Sequence, residues 1–315
     1  MFDNLSLYRG DLNDIVKSES LSPLMKVFSS VSACDGNDIL RLLDTQLSIA
    51  SSETDKVKLK ILAAVIYLVN IGNRNLCVRI LNDLGAPSNE RCAGWQSDLF
   101  ISLWNMLIIY LREKQSVNSL PLVSEDIVVI GDSHTIGLAV ASRDKWRSGC
   151  YIPGFRLSLL ASPQQNLKIV ALKNALCLNY DKSSIFLSLG EIDFRSAAIN
   201  ADENMLSFKT LKRLIAPAMD HVRRYAGRHQ KVLINAPYPM HENNSTIVSE
   251  SRDRLLNEFN DACSKFKDAA NANDFRIVSL PSEIYENSGS FKVDHAHYTV
   301  STYQKLFNSV SAELK

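Results

Sequence analysis

The stretch Ile127-Val128-Val129-Ile130-Gly131-Asp132-Ser133-His134-Thr135 decides the reading of this chain. Four β-branched apolar residues in a row read as a strand buried on both faces, as in a parallel sheet. Gly131 ends the run, and a helical stretch follows at about 135–146. This strand, turn and helix put Ser133 at the carboxyl end of the strand and at the start of the helix. Backbone N–H groups there lack intrahelical partners and can hold a developing oxyanion. The plainer alternative is that Ser133 only caps the helix.

Further downstream the same grammar repeats. Short β-branched runs lie at Ile127–Ile130, Ser184–Leu189, Lys231–Asn235 and Arg276–Leu280, with a weaker one at Cys150–Ile152. Helical stretches are expected at about 157–176, 203–227 and 249–271, and from Thr299 to Leu314. Apolar strands alternating with helices imply a parallel sheet covered on both faces. In such sheets chemistry sits at the carboxyl ends of the strands.

Upstream the grammar differs. Ile39, Leu42, Leu43, Leu47 and Ile49 form one apolar stripe at helical spacing; Val57, Ile61, Leu62, Val65, Ile66 and Val69 form another. Ser52 is the expected N-cap of the second helix, with Glu53 and Asp55 in its first turn and Gly72 at its end. Shorter helices follow at Asn75–Leu84 and at about Asp98–Glu113. Helix, turn and helix around Gly72 has the outline of a helical-hairpin repeat. No second copy is found, and an irregular bundle fits as well. The polar segment Lys114–Glu125, with Pro121, is the best boundary. The expected architecture is an all-α helical-hairpin domain over 1–118, followed by an α/β, flavodoxin-like doubly wound parallel sheet over 119–315.

At 315 residues the chain has room for two domains of roughly 150 residues each. Its 35 basic and 34 acidic residues nearly balance, which argues against a general nucleic-acid binder. No run reaches the roughly 18–20 apolar residues of a membrane span. Met1-Phe2-Asp3-Asn4-Leu5-Ser6 lacks the pattern of a signal peptide. The six cysteines (Cys34, Cys77, Cys92, Cys150, Cys177 and Cys263) are scattered with no Cys-x-x-Cys pair. The expectation is reduced thiols and a cytoplasmic protein.

A second motif lies at Val293-Asp294-His295-Ala296-His297-Tyr298, just ahead of the closing helix. An Asp three residues before a His can orient the imidazole, which can then take a proton from a serine. Taken alone, both are ordinary loop residues. Together, Gly131-Asp132-Ser133 after the first strand and Asp294-x-x-His297 before the last helix resemble the SGNH, or GDSL-type, hydrolase superfamily. The resemblance spans about 126–315. It implies Ser133 as nucleophile, His297 as base and Asp294 as the group that orients it. It also implies an oxyanion-hole glycine, matched by Gly154 in Tyr151-Ile152-Pro153-Gly154-Phe155.

The third block departs from the pattern. The superfamily has Gly-x-Asn-Asp, whereas this chain has Gly190-Glu191-Ile192-Asp193-Phe194-Arg195. Ile192 stands where the Asn donor is expected, and Ile donates no hydrogen bond. Losing one oxyanion donor typically costs about 10²- to 10³-fold in rate. The Gly-Glu-Ile-Asp-x-Arg string resembles a branch associated with bacterial polysaccharide loci. Arg195 or Glu191 is expected to shape the pocket, Arg195 by meeting an oxyanion or an anionic substrate group. An ion pair of Arg195 with Glu191 or Asp193 is the plainer alternative. Asn235, ending the fourth strand in Ile234-Asn235-Ala236-Pro237, is a candidate replacement donor.

His134 could compete as base, although neighbours on a turn usually point apart. Asp294, His295 and His297 have metal-ligand chemistry but no further ligand nearby in sequence, and no metal is expected. The Gly131-to-Gly137 turn lacks both Gly-x-Gly-x-x-Gly and a Walker motif, against a nucleotide site. The resemblance implies an esterase acting on an O-acylated, notably O-acetylated, carbohydrate, with no cofactor. A carbohydrate O-acetyltransferase with acetyl-CoA as co-substrate uses the same residues. A third reading is a non-catalytic binding or assembly protein whose helical half recruits a protein partner.

Overall fold

A computed structural model of the chain describes residues 23–30, 36–94, 97–112, 127–141, 149–161, 184–188, 208–226, 231–235, 276–278 and 297–314, together with 169, 172, 173, 175, 176 and 268. Among the described residues five helices come first: α1 (Pro23–Ser30), α2 (Gly36–Ile49), α3 (Glu53–Val69), α4 (Arg74–Leu84) and α5 (Ser97–Arg112). Then follow β1 (Ile127–Gly131), α6 (His134–Ala141), β2 (Gly149–Tyr151), α7 (Leu157–Leu160), β3 (Ser184–Ser188), α8 (Phe208–Tyr225), β4 (Lys231–Asn235), β5 (Arg276–Val278) and α9 (Val300–Leu314).

The five strands form one parallel sheet in the order β2-β1-β3-β4-β5. That is the flavodoxin-like doubly wound arrangement. Alternate side chains go to opposite faces. Val128 and Ile130 of β1 join Ile185 and Leu187 of β3 in a core with α7 and α8. Val129 and Phe186 face the other way, into a core with α6 and α9. Strands buried on both sides explain why β1 and β3 read as unbroken apolar runs. The order reverses between β1 and β3, because the chain leaves β1 toward β2 on one side and returns to β3 on the other. A crevice opens at such a switch point, outside the carboxyl ends of the two strands.

Among the described residues, the first five helices share one apolar core with the sheet half. Their buried side chains, among them Ile61, Val65, Leu107 and Tyr110, join one apolar cluster with Ile136, Val140, Tyr303 and Phe307 of α6 and α9. Helix α3 is the hub, in contact with α1, α2, α4, α5, α6 and β2. In a solenoid each repeat touches only its neighbours, so this packing is that of an irregular bundle. Ser52 caps α3 as expected, its Oγ accepting from the Asp55 N–H at 3.4 Å. The α3 stripe is wider than its apolar spacing suggests. Even Lys58 is buried, with its Nζ donating to the Ala93 carbonyl at 2.8 Å. Burial pulls the Lys58 pKa below its ordinary value, against the opposing charges of Asp55 and Cys92.

Two helical expectations need correction. The α2 stripe runs through Ile39, Leu43, Gln46 and Ala50, while Ile49 is 58% exposed. A helix advances 100° per residue, so position 49 falls off a face centred on 39, 43, 46 and 50. The stretch 157–176 is not one helix, because α7 ends at Leu160 with Ala161 as its C-cap. Pro163 follows two residues later, and proline cannot continue a helical hydrogen-bond ladder. The expected helix at 249–271 lies outside the described residues apart from Asp268, which is helical.

Candidate active site

The site is built on the turn between β1 and α6. Gly131 closes β1 against Ser188 of β3, and any Cβ on Gly131 would overlap the Ser188 backbone. Close approach therefore demands glycine there. Asp132 follows, with only 1% of its surface exposed. Its Oδ1 accepts from the His134 N–H at 3.1 Å and from the Ser188 hydroxyl at 3.3 Å. Its backbone carbonyl accepts from the Thr135 hydroxyl at 2.7 Å. Asp132, expected among the oxyanion- and substrate-binding residues, is thus buried and hydrogen-bonded within the turn itself.

The first-turn N–H groups of α6 find other partners: His134 donates to Asp132 Oδ1, and Thr135 and Ile136 donate to the Asp132 and Ser133 carbonyls, each at 3.1 Å. Ser133 Oγ lies 2.7 Å from His297 Nε2. With the ring proton on Nδ1, Nε2 accepts from the serine O–H. That is the geometry in which an imidazole can act as general base toward a hydroxyl. His297 sits just before α9, whose Tyr303 ring fills the place a side chain at Gly137 would take. The packing of α6 on α9 thus brings the two side chains together.

Gly154 lies past β2 with φ 62°, a left-handed conformation that suits glycine. The Ile152 N–H donates to the Gly131 carbonyl at 2.7 Å, which ties this turn to the end of β1. Asn235 ends β4 at the same carboxyl edge, one step beyond the Leu187–Ile234 pair. It is two strands from β1, or about 9–10 Å at ordinary strand spacing. Asp294, His295, Gly190, Glu191, Ile192, Asp193 and Arg195 lie outside the described residues.

Around the imidazole the structure gathers groups that no motif in the sequence brings together. His134, weighed above as a competing base, is 2% exposed, and its Nδ1 lies 2.7 Å from the Tyr303 hydroxyl. Its ring centroid is 5.1 Å from that of His297, with planes inclined by 38°. Tyr298 and Tyr303 complete the wall. Burial pushes the Tyr303 phenol well above its ordinary value, so it stays protonated. Gly137 was the available signal, since a bare position three residues after His134 on one helix makes room for a ring from a facing helix. Ser188, whose hydroxyl holds Asp132, carried no signal beyond being a polar residue in an apolar strand.

No protein-family model matches the chain, and no curated protein matches it. Among solved structures it is similar to a GDSL-like lipase from Bacteroides thetaiotaomicron (13% identity, 65% of this chain and 96% of that chain, TM-score 0.41). It is also similar to a member of the lipolytic protein G-D-S-L family from Veillonella parvula (12% identity, 58% and 94%, TM-score 0.38). A third is a carbohydrate acetylesterase from Sinorhizobium meliloti (14% identity, 60% and 97%, TM-score 0.35). Likenesses at this level carry nothing about activity. The strand order and the side-chain geometry of this chain stand on their own. No helix among the described residues is long and apolar enough to cross a membrane.

Proposed function

We propose that this chain is a serine-dependent esterase of the SGNH type that acts on an O-acylated carbohydrate. The observation that carries the reading is the 2.7 Å approach of Ser133 Oγ to His297 Nε2 at the switch point of the sheet. A hydroxyl in that position loses its proton to the imidazole as it attacks an ester carbonyl. The resulting tetrahedral oxyanion is held by the Ser133 and Gly154 N–H groups. His297 returns the proton to the leaving alcohol, and the acyl group stays on Ser133 until water, activated by the same imidazole, removes it. Asp294 orients His297 in this scheme. The carbohydrate ester rests on the resemblance of the Gly131, Gly190 and Asp294 blocks to the superfamily. With Ile192 in place of the third donor, turnover falls below that of a full oxyanion hole unless Arg195 or Asn235 supplies a replacement.

Hydrolysis of 4-nitrophenyl acetate and of an acetylated xylo-oligosaccharide by wild type and Ser133→Ala tests the reading. Wild type is expected to release acetate from both esters, and the variant from neither above background. Equal slow release by the two proteins would overturn it. Adding acetyl-CoA with an unacetylated acceptor sugar distinguishes transfer, in which acetylated sugar accumulates, from hydrolysis, in which it does not.

A further inference from the structure

We propose that His134, held by Tyr303, is a positioning residue for His297, and that the helical half of the chain enters the site through Tyr110 behind Tyr303. This rests on reading His297 as the general base. The residue next to a nucleophile on a turn ordinarily points away from it. Here the His134 ring packs beside the His297 ring, with centroids 5.1 Å apart and planes inclined by 38°. Its own orientation is fixed from behind, with Nδ1 within 2.7 Å of the Tyr303 hydroxyl. Tyr303 in turn has no room to swing. Gly137 accepts its ring on one side. Tyr110 of α5 meets it edge-on at 5.8 Å and 86° on another. All three side chains of this series are buried.

An imidazole that must accept a proton from Ser133 and deliver it to a leaving group works only if its plane is held. A misplacement of about 1 Å can cost on the order of 10²-fold. An orienting carboxylate fixes one edge of the ring but leaves rotation about that hydrogen bond. A buried ring packed beside it limits that freedom. His134 supplies that ring, the Tyr303 hydroxyl sets its angle, and Tyr110 keeps Tyr303 in place. Tyr110 belongs to α5, so the helical half is part of the support of the site. It is more than a partner-binding appendage.

The test uses the full chain. Tyr303→Phe keeps the ring and removes the hydroxyl; His134→Phe keeps a flat ring and removes Nδ1; Tyr110→Leu removes the edge contact. For each, kcat and KM for an acetate ester are measured, together with the rate at which a small fluorophosphonate labels Ser133, and the Tm. The fluorophosphonate needs the activated hydroxyl and none of the ester's binding contacts. Tyr303→Phe and His134→Phe are each expected to lower kcat about 10-fold with KM within a factor of two, and Tyr110→Leu to lower it several-fold in the same way. Labelling should slow in the same ratio, and the double variant should be no slower than the worse single one. Full-rate labelling and turnover in Tyr303→Phe and His134→Phe, with wild type labelled on Ser133, would overturn this proposal and leave the esterase reading standing. Losses that add in the double variant would likewise overturn it. Full-rate turnover and labelling in folded Tyr110→Leu would overturn the part of the proposal that runs through α5. Absence of labelling in wild type would overturn the esterase reading and this inference with it. Should His134→Phe fail to fold, Tyr303→Phe, which removes a single oxygen, decides alone.

Discussion

Ser133 Oγ and His297 Nε2 lie 2.7 Å apart although 164 positions separate them in the chain. The contact exists because β1 delivers Ser133 to the switch point of the sheet and α9 packs on α6, bringing His297 to the same crevice. His297→Ala is therefore expected to lower kcat for an acetate ester by roughly 10³-fold or more, with a Tm close to that of wild type. Steady-state kinetics beside a melting curve check this. A variant that loses activity only in proportion to lost folded protein contradicts it.

Gly154 and Gly137 are both demanding positions, for different reasons, and their alanine variants should separate. At Gly154 a Cβ meets nothing within 4 Å, but φ is 62°. The cost there is backbone strain of roughly 1–2 kcal/mol and a displaced N–H group. Gly154→Ala should lower kcat well beyond its modest loss of stability.

At Gly137 a Cβ would collide with the Tyr303 ring. Gly137→Ala should destabilise the fold by about 1–3 kcal/mol through overpacking, as measured by urea denaturation. It should also slow labelling of Ser133, because the displaced ring carries His134 with it. Stability equal to wild type would mean that α6 and α9 leave room for a methyl group beside the Tyr303 ring.

Cys77 and Cys150 are buried thiols pushed up to about 12. Burial is the leading cause at both, opposed at Cys77 by the Arg74 charge. In the unfolded chain these thiols ionise at the ordinary value of 9.0, while the native thiols keep their protons. The native state binds more protons in that window. The stabilisation from each thiol is thus complete below about pH 9 and is lost as pH rises from there toward 12. Native protein at pH 8 should leave Cys77 and Cys150 unmodified by iodoacetamide in peptide mass mapping. Cys150→Ala should flatten the fall of stability above pH 9.

Much of this was legible in the sequence because the physics involved is local. Continuous β-branched runs mark strands buried on both faces, and the turn at Gly131 marks the end of β1. The pairing of Ser133 with His297 was legible only jointly, since each residue alone is an ordinary cap or loop residue. Ile49 and the break after Leu160 were misread because apolar spacing was followed past the point where helix geometry or Pro163 overrules it. The shared core of α3, α5, α6 and α9 was not legible at all. A helix buried on nearly every side, as α3 is, has no polar face to show which neighbours surround it. The link from His134 through Tyr303 to Tyr110 depends on three elements far apart in sequence, so no spacing could reveal it.

The most direct test of the central claim is to trap the acyl group. Protein mixed rapidly with 4-nitrophenyl acetate, quenched in acid within the first turnover and digested, is expected to carry one acetyl group on the peptide containing Ser133. In the His297→Ala variant the same peptide is expected to stay unmodified. Acetate released by wild type with Ser133 never acetylated, or Ser133 acetylated equally fast without His297, would contradict the account.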